Sequence, residues 1–221
     1  MTTDDLLRQL YDFTLVGNAP EVLSLTRQGL ELGLGPETLL YEALIPSLEE
    51  VGARFERGDF FVPEMLIAGK AMAGALEILR PLLAETGAQT IGKIVMGTVK
   101  GDVHDIGKNL VNIMFEGAGF EVIDLGVQVA PDKFLAAIEE HQPDIVGFSA
   151  FLTTTMPMFK ANINALQKAG LRDQVIVMVG GAPVTQEYAD VVGADGYAAD
   201  ASAAVVRAKE LIKRRRAVAP A

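Results

Sequence analysis

The sequence predicts an α/β protein in two parts, an N-terminal four-helix bundle followed by a doubly wound, five-stranded parallel sheet. Three observations carry this. Residues 1 to about 86 keep helical apolar periodicity throughout, with no strand-like run. Residues 91 to 215 alternate short apolar runs with helical patterns five times, as parallel strands joined by crossover helices do. Half of the 221 residues are apolar, enough to bury a sizeable core in one large or two small domains.

In the first part, a helix is expected from Thr3 to Val16, with Asp4 and Asp5 at its positive end and Leu6, Leu7, Leu10, Tyr11 and Phe13 as apolar surface. Gly17-Asn18 breaks it. Asn18-Ala19-Pro20-Glu21 then reads as an N-cap with proline in the first turn, launching a helix that ends near Leu32-Gly33. Gly35-Pro36 starts the third helix, whose apolar stripe runs from Leu39 to Val51, with Pro46 as a kink point. The fourth runs from Pro63 to about Ala84. The joint between them, Gly52 to Met65, carries three phenylalanines. It reads either as a loop folded onto the bundle core or as a lid over something flat and apolar. Glu85 to Thr90 is small and polar and reads as a linker, giving domains of 1–88 and 89–221.

The second part reads as strands 94–99, 120–125, 144–149, 175–179 and 196–198, each followed by a helix: 106–116, 131–141, 156–169, 185–192 and 201–215. Ligands of such sheets bind beyond the carboxyl ends of the strands. The loops that matter are therefore Gly101 to Gly107, Gly126 to Ala130, Ala150 to Thr155, Gly180 to Pro183 and Ala199 to Ser202. Lys213 to Arg216 sit where the last helix dipole favours cations.

Composition removes several classes of function. A net charge of −10 opposes nucleic acid and anionic lipid as partners. The absence of cysteine rules out disulfides, thiolate metal sites and a cysteine nucleophile. The N-terminus is acidic where a signal peptide is basic, and no apolar run nears the ~18 residues of a membrane span, so the expected location is cytoplasmic, with no membrane partner. The glycines 97, 101 and 107 lack the spacing of a dinucleotide loop, and no phosphate loop with a following lysine is present.

Within the first loop, Asp102, His104 and Gly107 form D-x-H-x-x-G. A carboxylate beside an imidazole is a metal-ligand device. The alternative is a helix-capping Asp102 and a solvated His104. The third loop is lined by hydroxyls at Ser149, Thr153, Thr154 and Thr155, of which Thr155 also reads as a helix cap, and the fourth opens with Gly180-Gly181, where backbone can approach a ligand.

Asp102-x-His104-x-x-Gly107, then 41 residues, then Ser149-x-Phe151, then Gly180-Gly181, resembles the cobalamin-binding fingerprint D-x-H-x-x-G, S-x-L, G-G of methionine synthase and of the corrinoid proteins of methyltransferase systems. GDVHDIGKNLV, EVIDLGVQV and MVGGAPVT extend the likeness. In the N-terminal half, G-x-x-F-x-x-G-x-x-F from Gly52 to Phe61 is similar to that family's helical cap, so nearly the whole chain is covered. Phe151 departs from the pattern, which has leucine there.

The resemblance implies a Rossmann-like domain holding cobalamin or a related cobamide with its own lower base swung away. It gives His104 the role of axial cobalt ligand, with Asp102 accepting the other imidazole proton. Val103, Asp105, Ile106 and Gly107 would complete the first loop of the cofactor site, Ser149 and Thr153 would line the slot for the detached base, and Phe151 would pack near the nucleotide tail. Gly180 and Gly181 leave it room. Tyr197 and Ala201 would close the nucleotide pocket, and the turn from Phe61 to Met65 would lie over the methyl face. The implied chemistry is a one-carbon cycle between methylcob(III)amide and cob(I)amide.

No acid, base or nucleophile set surrounds a second pocket in the sequence, so no catalytic residue is assigned and the chain reads as a methyl carrier. Its implied partners are a substrate:corrinoid methyltransferase, a methylcorrinoid methyltransferase acting on tetrahydrofolate or coenzyme M, and a reductive activase. The rivals are the small subunit of an adenosylcobalamin-dependent mutase, against which the helical half counts, and a cobalamin sensor, which needs an output domain.

Overall fold

The computed structural model describes residues 2–86 and 90–218, and the side chains of residues 56, 84–86 and 218 are left aside. The chain divides into two compact units, Met1–Thr90 with Ile113–Gly119, and Ile91–Asn112 with Phe120–Ala221. The domain boundary expected between residues 88 and 89 lies outside the described residues.

In the helical unit, α1 (Thr3–Leu15) opens on a capping box. The Thr2 hydroxyl accepts from the Asp5 amide while the Asp5 carboxylate accepts from the Thr2 amide, satisfying two otherwise orphaned donors. Helix α2 (Ala19–Glu31) starts as expected, with Asn18 as N-cap and Pro20 in the first turn. The third helical stretch is not a simple helix. It begins as α3 (Pro36–Leu39), widens into a π-helical turn at Leu40–Leu44, where the Ile45 amide reaches back five residues to the Leu40 carbonyl, and continues as α4 (Ile45–Glu56). Pro46 explains the widening: it has no amide to donate, and its ring would strike the carbonyl one regular turn earlier. Helix α5 (Val62–Thr86) is headed by a bond from the Phe61 amide to the Glu64 carboxylate.

Leu6, Leu10, Leu39, Leu44, Leu48, Met72 and Leu79 are fully buried or nearly so. Glycines let the helices approach closely. A Cβ on Gly29 would sit 2.7 Å from Leu39 Cδ2, and one on Gly117 only 1.7 Å from Leu48 Cδ2. Buried hydroxyls are satisfied within their own helix or by one neighbour: Thr14 bonds the Leu10 carbonyl, Thr26 the Val22 carbonyl, and Ser47 the Tyr11 carbonyl.

The second unit is the expected doubly wound sheet. Strands β1 (Lys93–Thr98), β2 (Glu121–Asp124), β3 (Ile145–Ser149), β4 (Ile176–Gly180) and β5 (Gly196–Tyr197) are all parallel, in the order β2-β1-β3-β4-β5. They alternate with α6 (Ile106–Gly117), α7 (Pro131–His141), α8 (Pro157–Lys168), α9 (Gln186–Val192) and α10 (Ala201–Val218). Burial of Val95, Val146, Val177, Phe134, Phe148, Phe159 and Ile163 packs one face of the sheet against α7, α8 and α9, with the Phe134 and Phe148 rings edge to face at 4.7 Å. The progression of strands reverses between β1 and β3. The loops leaving those two strands therefore meet at the crevice where open α/β sheets bind ligands. Among the described residues no helix is long and apolar enough to cross a membrane.

Candidate functional site

The loop after β1 is shaped by its own backbone before any side chain acts. Gly101 has φ +88°, which favours glycine. The Asp102 amide turns back to the Val99 carbonyl, the Asp102 carbonyl accepts from the Gln128 amide, and the buried Thr98 hydroxyl donates to the His104 carbonyl. These three bonds place Asp102 inside and His104 outside.

Asp102 is wholly inaccessible to solvent. Its Oδ1 lies 2.7 Å from His104 Nδ1 and accepts the His104 amide at 3.0 Å. Its Oδ2 accepts the Phe151 amide at 2.8 Å, the Leu152 amide at 3.2 Å and the Thr155 hydroxyl at 2.7 Å. Burial works to raise the Asp102 pKa. The donors on His104, Thr155 and Phe151 outweigh it, and the carboxyl is held well below the usual carboxylate range. The alternative in which Asp102 caps the following helix does not hold, because its oxygens are committed to His104 and to the loop after β3.

An ionised carboxylate can only accept, so in the neutral ring the proton belongs on Nδ1 and Nε2 carries the lone pair. The His104 side chain is 46 % exposed. The two loops that meet on Asp102 also carry Val103, Ile106, Phe151 and Leu152, each between 40 % and 73 % exposed, more apolar surface than a solvated loop would present. The Phe151 ring stacks on the imidazole, centroids 4.5 Å apart and planes 30° from parallel.

The other predicted residues of the α/β unit fall at the same end of the sheet. Asp105 is half-buried and Gly107 exposed at the start of α6. Ser149 is half-buried at the end of β3, next in register to Thr98 and Gly180, and Thr153 is exposed in the following loop. A Cβ on Gly107 would meet nothing within 4 Å, and one on Gly180 would first meet the Ala198 carbonyl at 3.9 Å, so both stand over open space. Gly181 differs: its φ is +134° and a Cβ would lie 1.9 Å from the Ala150 carbonyl oxygen, so only glycine serves. Tyr197 ends β5, and Ala201 is buried at the first position of α10, which Asp200 caps through the Ala203 amide. In the helical unit Phe61 is exposed and Met65 fully buried, so the turn presents the ring and hides the thioether.

Sequence reasoning placed Thr155 in the loop without its role, and missed Thr98 and Lys108. Thr155 is not a helix cap: α8 begins at Pro157, and the hydroxyl serves Asp102 and the Leu152 carbonyl. Thr98 looked like an ordinary strand residue. Lys108, nearly fully buried, pairs with Asp124 at the end of β2 and with the Asn109 amide oxygen, tying the first turn of α6 to that strand. No single-sequence signal distinguishes Thr155 from its neighbours Thr153 and Thr154.

Among the described residues no group of three or more His, Asp or Glu side chains could hold a bare metal ion. One imidazole, oriented from behind by a carboxylate, on loops that carry exposed apolar side chains, with open glycine backbone at the same end of the sheet, fits a metal that brings its own planar ligand set. A corrinoid is a group of that kind. A family model described as "B12 binding domain" matches residues 92–206, and a second of the same description matches residues 6–80. The dimethylamine corrinoid protein of Methanosarcina barkeri is 42 % identical over 213 residues, 96 % of this chain and all of the relative. The methanol:cobalamin methyltransferase complex MtaBC from Methanosarcina barkeri superposes with a TM-score of 0.83 at 29 % identity, over 95 % of this chain and 80 % of that one. A cobalamin-binding protein from Desulfitobacterium hafniense DCB-2 superposes with a TM-score of 0.75 at 29 % identity, covering 94 % and 97 %. The chain belongs to the B12-binding corrinoid proteins, and its cofactor is a cobalamin-type corrinoid.

Proposed function

We propose that this protein carries a methyl group on a protein-bound cobamide between two methyltransferases. One is a substrate:corrinoid methyltransferase, and the other passes the methyl group to tetrahydrofolate or coenzyme M. The observation that carries the reading is the imidazole of His104, fixed at Nδ1 by a buried, ionised Asp102 with Nε2 left for a ligand. The cofactor supplies a metal centre that accepts and releases a methyl group. The chain supplies its seat. His104 would hold the metal through Nε2, Asp102 would keep the proton on Nδ1, and Thr155 with the Phe151 and Leu152 amides keeps Asp102 ionised. Ser149, Thr153, Gly180 and Gly181 would make room for the cofactor's own base, and Tyr197 and Ala201 would close that pocket.

Relatives named for dimethylamine and a structure named for methanol support a small methylated compound as the methyl source. The helical part, residues 1–88, would shield the methyl group through the turn from Phe61 to Met65, in which Phe61 is the exposed side chain. Substrate chemistry resides in the partners. A reductive activase and a cytoplasmic location complete the proposal.

The test is electron paramagnetic resonance of the reduced, cobamide-loaded protein. An axial nitrogen splits the signal in the wild type, and His104→Ala loses that splitting while still taking up cofactor; an unchanged spectrum overturns the assignment. The methyl-loaded protein should exchange its methyl group only when a cognate methyltransferase is added. A mutase subunit would instead require the adenosyl cofactor and show no methyl exchange. Phe61→Ala should speed photolysis of the methyl-loaded form, and an equal rate would remove the covering role.

A further inference from the structure

We infer that Phe151 is a positioning residue for the His104 imidazole, holding the ring in a ligand-ready orientation that the hydrogen bond to Asp102 alone does not fix. The inference rests on the corrinoid reading of the site and deepens it. One carboxylate anchors both partners: Oδ1 of Asp102 receives His104 Nδ1, and Oδ2 receives the Phe151 amide. A ring nitrogen and a main-chain amide tied to opposite oxygens of one buried carboxylate bring the two residues side by side. The rings then stack at 4.5 Å and 30°.

A hydrogen bond to one ring nitrogen leaves the imidazole free to pivot about that bond, and this side chain is 46 % exposed, so solvent does nothing to stop it. The aromatic face supplies the second restraint. Phe151 is itself 51 % exposed, so core packing does not account for its place. Leucine, the residue of the S-x-L pattern, offers apolar contact but no flat face. Restraining a ligand before it binds lowers the entropy lost on coordination, and an aromatic pair of this geometry corresponds to roughly a 2- to 10-fold bias in an equilibrium.

The test uses the full chain with Phe151→Leu and Phe151→Tyr, each of which keeps the backbone amide that Asp102 needs. In the cofactor-free protein, nuclear magnetic resonance of the His104 ring protons should show an upfield ring-current displacement in the wild type and in Phe151→Tyr, and its loss in Phe151→Leu. In the cobamide-loaded, one-electron-reduced protein, the ratio of nitrogen-ligated to unligated signal should fall roughly 2- to 10-fold in Phe151→Leu and recover in Phe151→Tyr. Equal ring shifts in all three proteins, or an unchanged ratio in Phe151→Leu, would overturn the role. A wild type that takes up no cobamide would sink the corrinoid reading instead, while the ring shifts would still decide whether Phe151 orients the imidazole.

Discussion

Two buried threonines of the helical unit and the buried aspartate at the carboxyl end of the sheet satisfy their polar groups over different distances along the chain. In the helices Thr14 and Thr26 bond carbonyls four residues back, inside the turn that carries them. In the α/β unit Asp102 draws on His104 two residues away and on Phe151, Leu152 and Thr155, which are 49 to 53 residues away. The first arrangement survives anything that leaves its helix intact. The second exists only while two loops from different strands are held together, so it belongs to the site and is exposed to changes made far from it.

The largest effect that would break this contrast is at the close-approach glycines. Gly181→Ala sets a Cβ against the Ala150 carbonyl at a left-handed φ, where backbone must move, and should cost about 4 kcal/mol in urea unfolding and abolish cobamide uptake. Gly117→Ala is nominally as tight, with Leu48 Cδ2 at 1.7 Å. The obstacle there is the tip of a flexible side chain, so the cost should be about 1 kcal/mol. Similar costs at the two positions would mean that the β3 and β4 loops are not rigidly coupled.

Asp102→Ala strands the buried donors that converge on the carboxylate and should destabilise the protein by about 3 kcal/mol. The pH dependence sharpens the point. Because the folded pKa lies below the ordinary 3.8, the carboxylate stabilises the fold fully above about pH 4, and that contribution is lost as pH falls through the folded value. The stability gap between wild type and Asp102→Asn should therefore be level at neutral pH and shrink in acid. A gap that widened in acid would reverse the assigned direction.

The smallest pair compares two buried threonines. Thr155→Val removes a hydroxyl bond to a carboxylate and should cost about 2 kcal/mol, with most of that cost vanishing in an Asp102→Asn background. Thr26→Val removes a bond to a carbonyl already serving the helix ladder and should change stability by no more than about 0.5 kcal/mol. Equal effects would erase the distinction between local and convergent satisfaction.

Most elements were legible because their signals are short-range. Apolar spacing fixed the helices and strands, Asn18 with Pro20 marked the start of α2, and Asp102-x-His104 marked the loop worth reading. The π-helical turn before Pro46 was legible only as a kink, since a proline announces a missing hydrogen bond but not how the backbone will absorb it.

By itself, then, the sequence determined the two-part architecture, the alternation of strands and helices, and a histidine with a carboxylate two residues before it. The tertiary structure decided where that carboxylate's second oxygen goes, why Thr155 serves it rather than α8, and why the Phe151 ring lies on the imidazole. The physical reason is range. Propensity and capping act over three or four residues, whereas the site is assembled by a parallel sheet whose strand order reverses between β1 and β3, bringing two loops about fifty residues apart onto one buried aspartate.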